Sequence, residues 1–203
     1  VHKIPDELLE FYPLGGSIID EELKAKYRRE IRAELGISEK EILFCHSGKM
    51  DTKKRTYELI SNFSRVKDEK LKLIIIGTFN EDVKSDVMSL INKDSRIIFL
   101  GWKDSSELIQ YISASDLYLQ PGSQSATMQN ALCAGTPVLF ADVNSHQPYM
   151  RGNALAINDY DEMESIFEMI CRDPEMLSAM SKKAYDLARE LLDYKKLAER
   201  ITQ

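Results

Sequence analysis

The sequence is sparing with the residue types that would announce several common functions. It holds three cysteines, Cys45, Cys133 and Cys171. Their number is odd, their spacings are wide and no Cys-x-x-Cys pair occurs. That excludes a disulfide framework and the paired thiolates of a zinc module. Buried free thiols in a reducing cytoplasm are the expectation. Histidine is equally scarce, and no cluster of His, Cys or carboxylates falls at metal-ligand spacing, so no metal or other cofactor is expected. No apolar run approaches the roughly 20 residues of a membrane span, and no secretory leader pattern opens the chain. Excess positive charge is missing too. Lys and Arg number 27 against 33 Asp and Glu, a net charge of -6. Such a chain lacks the basic stripe of a nonspecific nucleic-acid binder. Local anion binding stays open, because a few placed amides and lysines matter more than the total.

What is present suits a globular domain. Hydrophobic residues make up 43% and charged residues 30% of 203 positions, enough to build a core without disulfides. The chain begins at Val1, and the expectation is a fragment of a longer protein.

Residues 1–19 read as an irregular lead-in, broken at Pro5 and at Pro-Leu-Gly-Gly over 13–16. Asp20 caps a charged helix over 21–35 that Gly36 ends. That helix is polar nearly all round, which predicts a surface position. Residues 1–41 are accordingly read as linker and lead-in helix, and 42–203 as the main domain. From there short apolar runs alternate with helical periodicity. Strands are predicted at 42–45, 71–76, 96–100, 117–119, 137–140 and 154–157. Helices are predicted at 55–66, 81–92, 104–112, 125–134, 160–171 and 174–201. Continuous apolar strands between helices predict a doubly wound, Rossmann-like α/β sheet, with ligands bound at the carboxyl ends of the strands.

Two strand ends carry candidate chemistry. After the first strand stands Ser-Gly-Lys-Met-Asp-Thr-Lys-Lys-Arg over 47–55, where Gly48 permits close backbone approach and Lys49 and Lys54 can neutralise a diphosphate. The P-loop spacing Gly-x4-Gly-Lys-Ser/Thr is absent. After the fourth strand, Gly122, Ser123, Gln124, Ser125 and Thr127 crowd the start of a helix. Free amides and hydroxyls there suit a phosphate or carboxylate, and Ser123 or Ser125 equally suits an ordinary helix cap. His46 and His146 also fall at strand ends; a structural role is the expectation for His46, and His146 is within sequence reach of a diphosphate.

The order of these pieces resembles the C-terminal domain of the "group 1" family of retaining GT-B glycosyltransferases. The family's Gly-Arg-x4-Lys-Gly loop is matched by Gly48, Lys49 and Lys54, with Arg55 in place of the last glycine. Strands ending in glycine match Ile-Ile-Ile-Gly at 74–77 and Ile-Phe-Leu-Gly at 98–101. The segment Asn-Ala-Leu-Cys-Ala-Gly-Thr-Pro-Val at 130–138 is similar to the family's Glu-Ala-Met-Ala-Cys-Gly-Thr-Pro-Val. Asn153 to Ile157 is similar to its later Asn-Gly-Leu-Leu-Val. The resemblance covers about residues 42–200. It implies a nucleotide-sugar donor site, with Gly101 and Trp102 near the base, Ser123, Gln124 and Ser125 near the diphosphate and sugar, and Asn130 near the ribose. It implies sugar transfer to a glycan or lipid-linked acceptor held by an N-terminal domain outside this sequence. The full protein is then expected at the cytoplasmic face of a membrane or free in the cytoplasm, and this fragment alone is expected to be inactive. One departure stands out. The family's two glutamates, which contact the transferred sugar and the ribose, fall at Gly122 and Asn130. The alternative expectation is therefore a GT-B-like binding domain that has lost catalysis.

Overall fold

A computed structural model describes residues 10–201; the predicted break at Pro5 lies outside the described residues. Six parallel strands form one sheet: β1 (Ile42–Met50), β2 (Leu71–Phe79), β3 (Ile97–Gly101), β4 (Leu117–Gln120), β5 (Val138–Ala141) and β6 (Ala154–Ile157). Their order is β3-β2-β1-β4-β5-β6. The chain builds outward from β1 in one direction, then returns and builds outward in the other. The reversal leaves a crevice between the carboxyl ends of β1 and β4, where open α/β sheets bind ligands.

Helices cover both faces: α1 (Glu21–Leu35), α2 (Thr56–Arg65), α3 (Glu81–Ile91), α4 (Ser105–Ala114), α5 (Ala126–Cys133), α6 (Glu162–Arg172), α7 (Met176–Leu187) and α8 (Tyr194–Ile201). Alternate strand residues feed two separate cores. Leu43, Cys45, Tyr118 and Phe140 face α4, α5 and α7. Phe44, Leu73, Leu117 and Leu139 face α2, α3 and α6. Both faces are buried, which is why the strands read as unbroken apolar runs.

Three sequence expectations change. The first strand does not stop at Cys45 but runs on to Met50, paired with β2 residue by residue through Gly48↔Gly77 to Met50↔Phe79. Residues 47–50, read as loop, are strand. Glycine makes the extension possible: at Gly77, where φ is 137°, an added Cβ would lie 1.8 Å from the Gly48 carbonyl oxygen. The predicted helix over 174–201 is α7, a π-helical turn (Ala188–Leu192) and α8. The interruption follows from the lead-in segment, which docks there: Gly16 N donates to Leu192 O at 2.8 Å and Tyr194 N to Gly16 O at 3.2 Å.

Helix α1 is the third. Asp20 caps it by accepting from Leu23 N, and Gly36 ends it at φ 67°, as its sequence requires. Yet Ile31 and Arg32 on it are buried, and it packs along α4. Its polar pattern concealed a packed face because two of the polar residues are arginines that reach one carboxylate. Arg28 Nη1 and Arg32 Nη2 donate to the two oxygens of Asp116 at 2.8 and 2.5 Å. Asp116 Oδ2 also accepts from Leu43 N at 2.7 Å. One side chain thus ties α1 to the start of β1. Arg32 is only 2% exposed, and removing the partner of a buried charge leaves it uncompensated. Asp116→Ala should cost about 3 kcal/mol of unfolding free energy, read from urea denaturation; a loss below about 1 kcal/mol would show that α1 adheres without this carboxylate.

Candidate functional site

The switch-point crevice is framed by three segments: the turn after β1, the loop from β4 into α5, and the loop after β5. After Met50 the chain makes a 3-10 turn (Thr52–Lys54), with Asp51 accepting from Lys53 N and Lys54 N. Arg55 follows in the left-handed conformation, φ 58°, at the position where the family resemblance expects glycine. A side chain there costs about 1–2 kcal/mol. Arg55 is held by an ion pair to Glu58 at 3.0 Å and by stacking 5.0 Å over the Tyr160 ring.

The turn places the two lysines differently. Lys49 is exposed at the end of β1, whereas Lys54 is buried. Lys54 Nζ donates to Ser123 O at 3.2 Å, and no ion pair satisfies it among the described residues. Burial lowers its pKa, opposed by the nearby Asp51 charge. Its ammonium has three donors, and one carbonyl is the single protein acceptor it meets among the described residues.

The loop after β4 lies directly on this turn. Ser123 N donates to Lys53 O at 3.0 Å. A Cβ added to Gly122 would lie 2.0 Å from that same oxygen and within 2.9 Å of Lys54 backbone. Gln120, a buried polar residue closing an apolar strand, donates from Nε2 to Ser123 O. Ser125 Oγ bonds Gln120 Oε1 at 2.9 Å, and Ser125 makes no side-chain cap on α5. Gln124 reaches across the crevice mouth, donating from Nε2 to Ser145 O at 3.3 Å. Thr127 stands half-buried in the first turn of α5.

Deeper in α5 the amides are spent on the lead-in segment. Gln129 Oε1 accepts from Gly15 N at 2.8 Å, and its Nε2 donates to Tyr149 OH at 3.2 Å. Asn130 faces Gly16, where an added Cβ would lie 2.7 Å from Asn130 Oδ1. Gly101 ends β3, the edge strand, two strands from β1, and Trp102 follows it. They share the carboxyl end of the sheet with the crevice, and Trp102 is 68% exposed. Among the proposed site residues, the fold therefore gathers Lys54, Gly122, Ser123, Gln124 and Ser125 closely. Gly48 and Lys49 border them, and Asn130 and Trp102 stand apart. Gln120 and Tyr149 join the site without having been expected. An isolated glutamine at the end of an apolar strand was a readable signal for the first; none marked Tyr149.

An opening of about 450 Å³ beside the crevice is lined by Phe11, Gln124, Gln129, Asn144, Ser145 and Tyr149 among others. These side chains offer neutral hydrogen-bond donors and acceptors beside aromatic surface. A cavity of about 590 Å³ lies at the other end of the sheet, beside Ile42, Asp116 and Pro137. Strand starts are the wrong end for a switch-point ligand. Among the described residues no group of three His, Cys, Asp or Glu could hold a metal ion.

His46 is structural. It is fully buried, with Nδ1 on Leu119 O at 2.8 Å and Nε2 on Thr56 Oγ1 at 2.9 Å. The carbonyl can only accept, so Nδ1 carries the proton and Nε2 accepts from threonine. Burial pushes its pKa down to about 4.

Two predictions follow from this geometry. Restoring a carboxylate by Gly122→Glu should drive the two loops apart and cost about 2–3 kcal/mol in a urea titration; a variant as stable as the parent would mean that the loops separate freely. His46 should make stability pH-dependent. Its folded pKa lies below the unfolded value of about 6.5, so between pH 6.5 and 4 the unfolded chain binds more protons, and stability falls as pH falls through that window. The full effect is about 3 kcal/mol, and His46→Gln should flatten the change in urea midpoint between pH 6.5 and 4.5.

Comparison with known proteins bears on this arrangement. The chain is 26% identical over 185 residues to alpha-monoglucosyldiacylglycerol synthase of Streptococcus pneumoniae (strain ATCC BAA-255 / R6), covering 83% of this chain and 41% of that protein. Its fold is similar to that of Anabaena Alr3699/HepE solved in complex with UDP-glucose, at a TM-score of 0.78 and 18% identity, over 93% of this chain and 54% of that one. It is also similar to the C-terminal domain of a glycosyl transferase group 1 family protein (LpcC) from Francisella tularensis, at a TM-score of 0.67 and 16% identity, over 89% of this chain and 94% of that one. The chain spans about half the length of the longer relatives it matches. The family model described as "Glycosyl transferases group 1" matches residues 27–187, from within α1 to the end of α7. By that match, the chain belongs to the group 1 glycosyltransferases.

Proposed function

We propose that this chain is the nucleotide-sugar-binding domain of a glycosyltransferase that passes a sugar from a nucleotide donor to a glycan or lipid-linked acceptor, with retention of anomeric configuration. The observation that carries the reading is Lys54 at the switch point, a largely buried lysine whose ammonium meets one carbonyl and no ion-pair partner among the described residues. A diphosphate supplies the anionic acceptors it lacks, and the amides at the start of α5 supply further donors. In the transition state the same groups stabilise charge gathering on the leaving diphosphate. Lys49, exposed beside it, contributes to capture. The reaction so drawn invokes no metal. The relative named as a glycolipid synthase favours a lipid-linked acceptor and work at the cytoplasmic face of a membrane. No helix among the described residues is long and apolar enough to cross one. The acceptor site belongs to an N-terminal domain, so residues 1–203 alone bind donor without turning it over.

A second reading has its own support. Gly122 leaves no room for a carboxylate where the family carries one, and Asn130 replaces the other. On this reading the domain keeps the GT-B shape and binds a partner or glycan without catalysing.

Thermal unfolding with UDP, GDP, ADP and their sugar conjugates separates the two. A nucleotide at about 100 times its dissociation constant should stabilise the chain by about 2.7 kcal/mol and raise the melting temperature by several degrees. Lys49→Ala with Lys54→Ala should abolish that shift. No shift with any nucleotide would favour the non-catalytic reading.

A further inference from the structure

The loop after β5 holds a side chain that the donor-site reading leaves unused. His146 is 1% exposed. Its Nδ1 lies 2.9 Å from Ala141 O. A carbonyl oxygen only accepts, so Nδ1 carries the proton and Nε2 presents a bare lone pair. Nε2 is buried and has no hydrogen-bond partner. The ring leans on Phe140 with centroids 4.9 Å apart, and its backbone is pinned by His146 N donating to Val143 O at 2.9 Å. With Nδ1 committed and one ring face covered, the imidazole cannot turn to satisfy Nε2 within the loop. An unmet buried acceptor held in place is a feature that calls for an explanation.

The surroundings say what fits it. The preceding residue, Ser145, receives the Gln124 strap across the crevice mouth, through one long bond of 3.3 Å from an exposed side chain. The Lys54 charge is close enough to act on the ring, and with burial it holds the imidazole neutral against the opposing pull of the Ala141 carbonyl. A neutral Nε2 accepts and does not donate. A phosphate oxygen, itself an acceptor, is therefore the wrong partner. A hydroxyl group is the right one, and the opening lined by the adjacent loop residues Asn144 and Ser145 carries neutral polar groups and aromatic rings.

We propose that His146 Nε2 accepts a hydrogen bond from a hydroxyl of the sugar carried by the bound nucleotide, once Gln124 releases Ser145. His146 then reads the sugar, while Lys54 reads the diphosphate. The proposal rests on the nucleotide-sugar reading of the crevice.

Calorimetric titration of the unaltered chain, His146→Ala and His146→Gln with UDP, UDP-glucose, GDP and GDP-mannose tests it. In His146→Ala, affinity for the sugar nucleotide should fall about tenfold, the worth of one good neutral hydrogen bond, while affinity for the matching nucleoside diphosphate stays the same. His146→Gln should recover most of the loss, because its side-chain carbonyl also accepts. An equal loss for both ligands would assign the histidine to loop packing and overturn the proposal, as would no loss at all. If UDP or GDP binds but its sugar conjugate binds no better or worse in any variant, the donor site stands and His146 plays no part. If the unaltered chain binds no nucleotide, the donor-site reading fails and the proposal falls with it. Imidazole nitrogen NMR gives a ligand-free check: a proton found on Nε2 rather than Nδ1 would overturn it outright.

Discussion

The candidate site depends on one constraint: all strands of the sheet run the same way, and β1 must serve both halves. A parallel sheet that grows first toward β3 and then toward β6 has to diverge at β1 and β4. Chain leaving those two strands departs to opposite faces, so their carboxyl ends cannot be covered by one continuous connection. The turn after β1 and the loop after β4 are left to meet over the gap. Gly122 against the Lys53 carbonyl is that meeting, and Lys54, Gln120 and Ser123 are organised around it.

The meeting has a chemical consequence. At Gly122 backbone touches backbone, so the site gives up any side chain there and with it any fixed negative charge. What remains where the loops meet is a buried lysine, a row of amides, hydroxyls and an imidazole kept neutral by burial, with Asp51 capping the turn beside the lysine. Under the proposed reading, Lys54 meets an anion with Asp51 committed to the backbone amides of its own turn, and a neutral acceptor such as His146 Nε2 can recognise a hydroxyl group without repelling a diphosphate. The same exchange weakens the case for chemistry that requires a carboxylate, which is why the catalytic and non-catalytic readings diverge at this residue.

Much of the scaffold was legible from residue order. Apolar runs bounded by glycine, alternating with helical periodicity, were enough to read a doubly wound sheet, because burial on both faces leaves a one-dimensional record. Caps such as Asp20 and Gly36 are equally local and fell where expected. Helix α1 was not fully legible. Its arginines count as polar in any pattern, and only the fold shows that Arg28 and Arg32 spend their charge on Asp116 while their helix packs on α4. The long last helix was misread for a similar reason: its interruption at residues 188–193 is imposed by Gly16, far away in sequence.

The sequence by itself determined the fold class, the family and which strand ends carry lysines, amides and hydroxyls, since each is written in short stretches of neighbouring residues. Only the tertiary structure decided which of those groups meet. Lys54 is buried and Lys49 exposed because a single 3-10 turn rotates one inward. Asn130 faces the lead-in segment, not the open crevice, because Gly16 lies against it. Gln120 and Tyr149 border the candidate crevice, and the loop that carries His146 lies next to it, because β4 and β5 are neighbours in the sheet. Contacts of that kind join residues distant along the chain, and their energies depend on distance and burial, which no local pattern encodes.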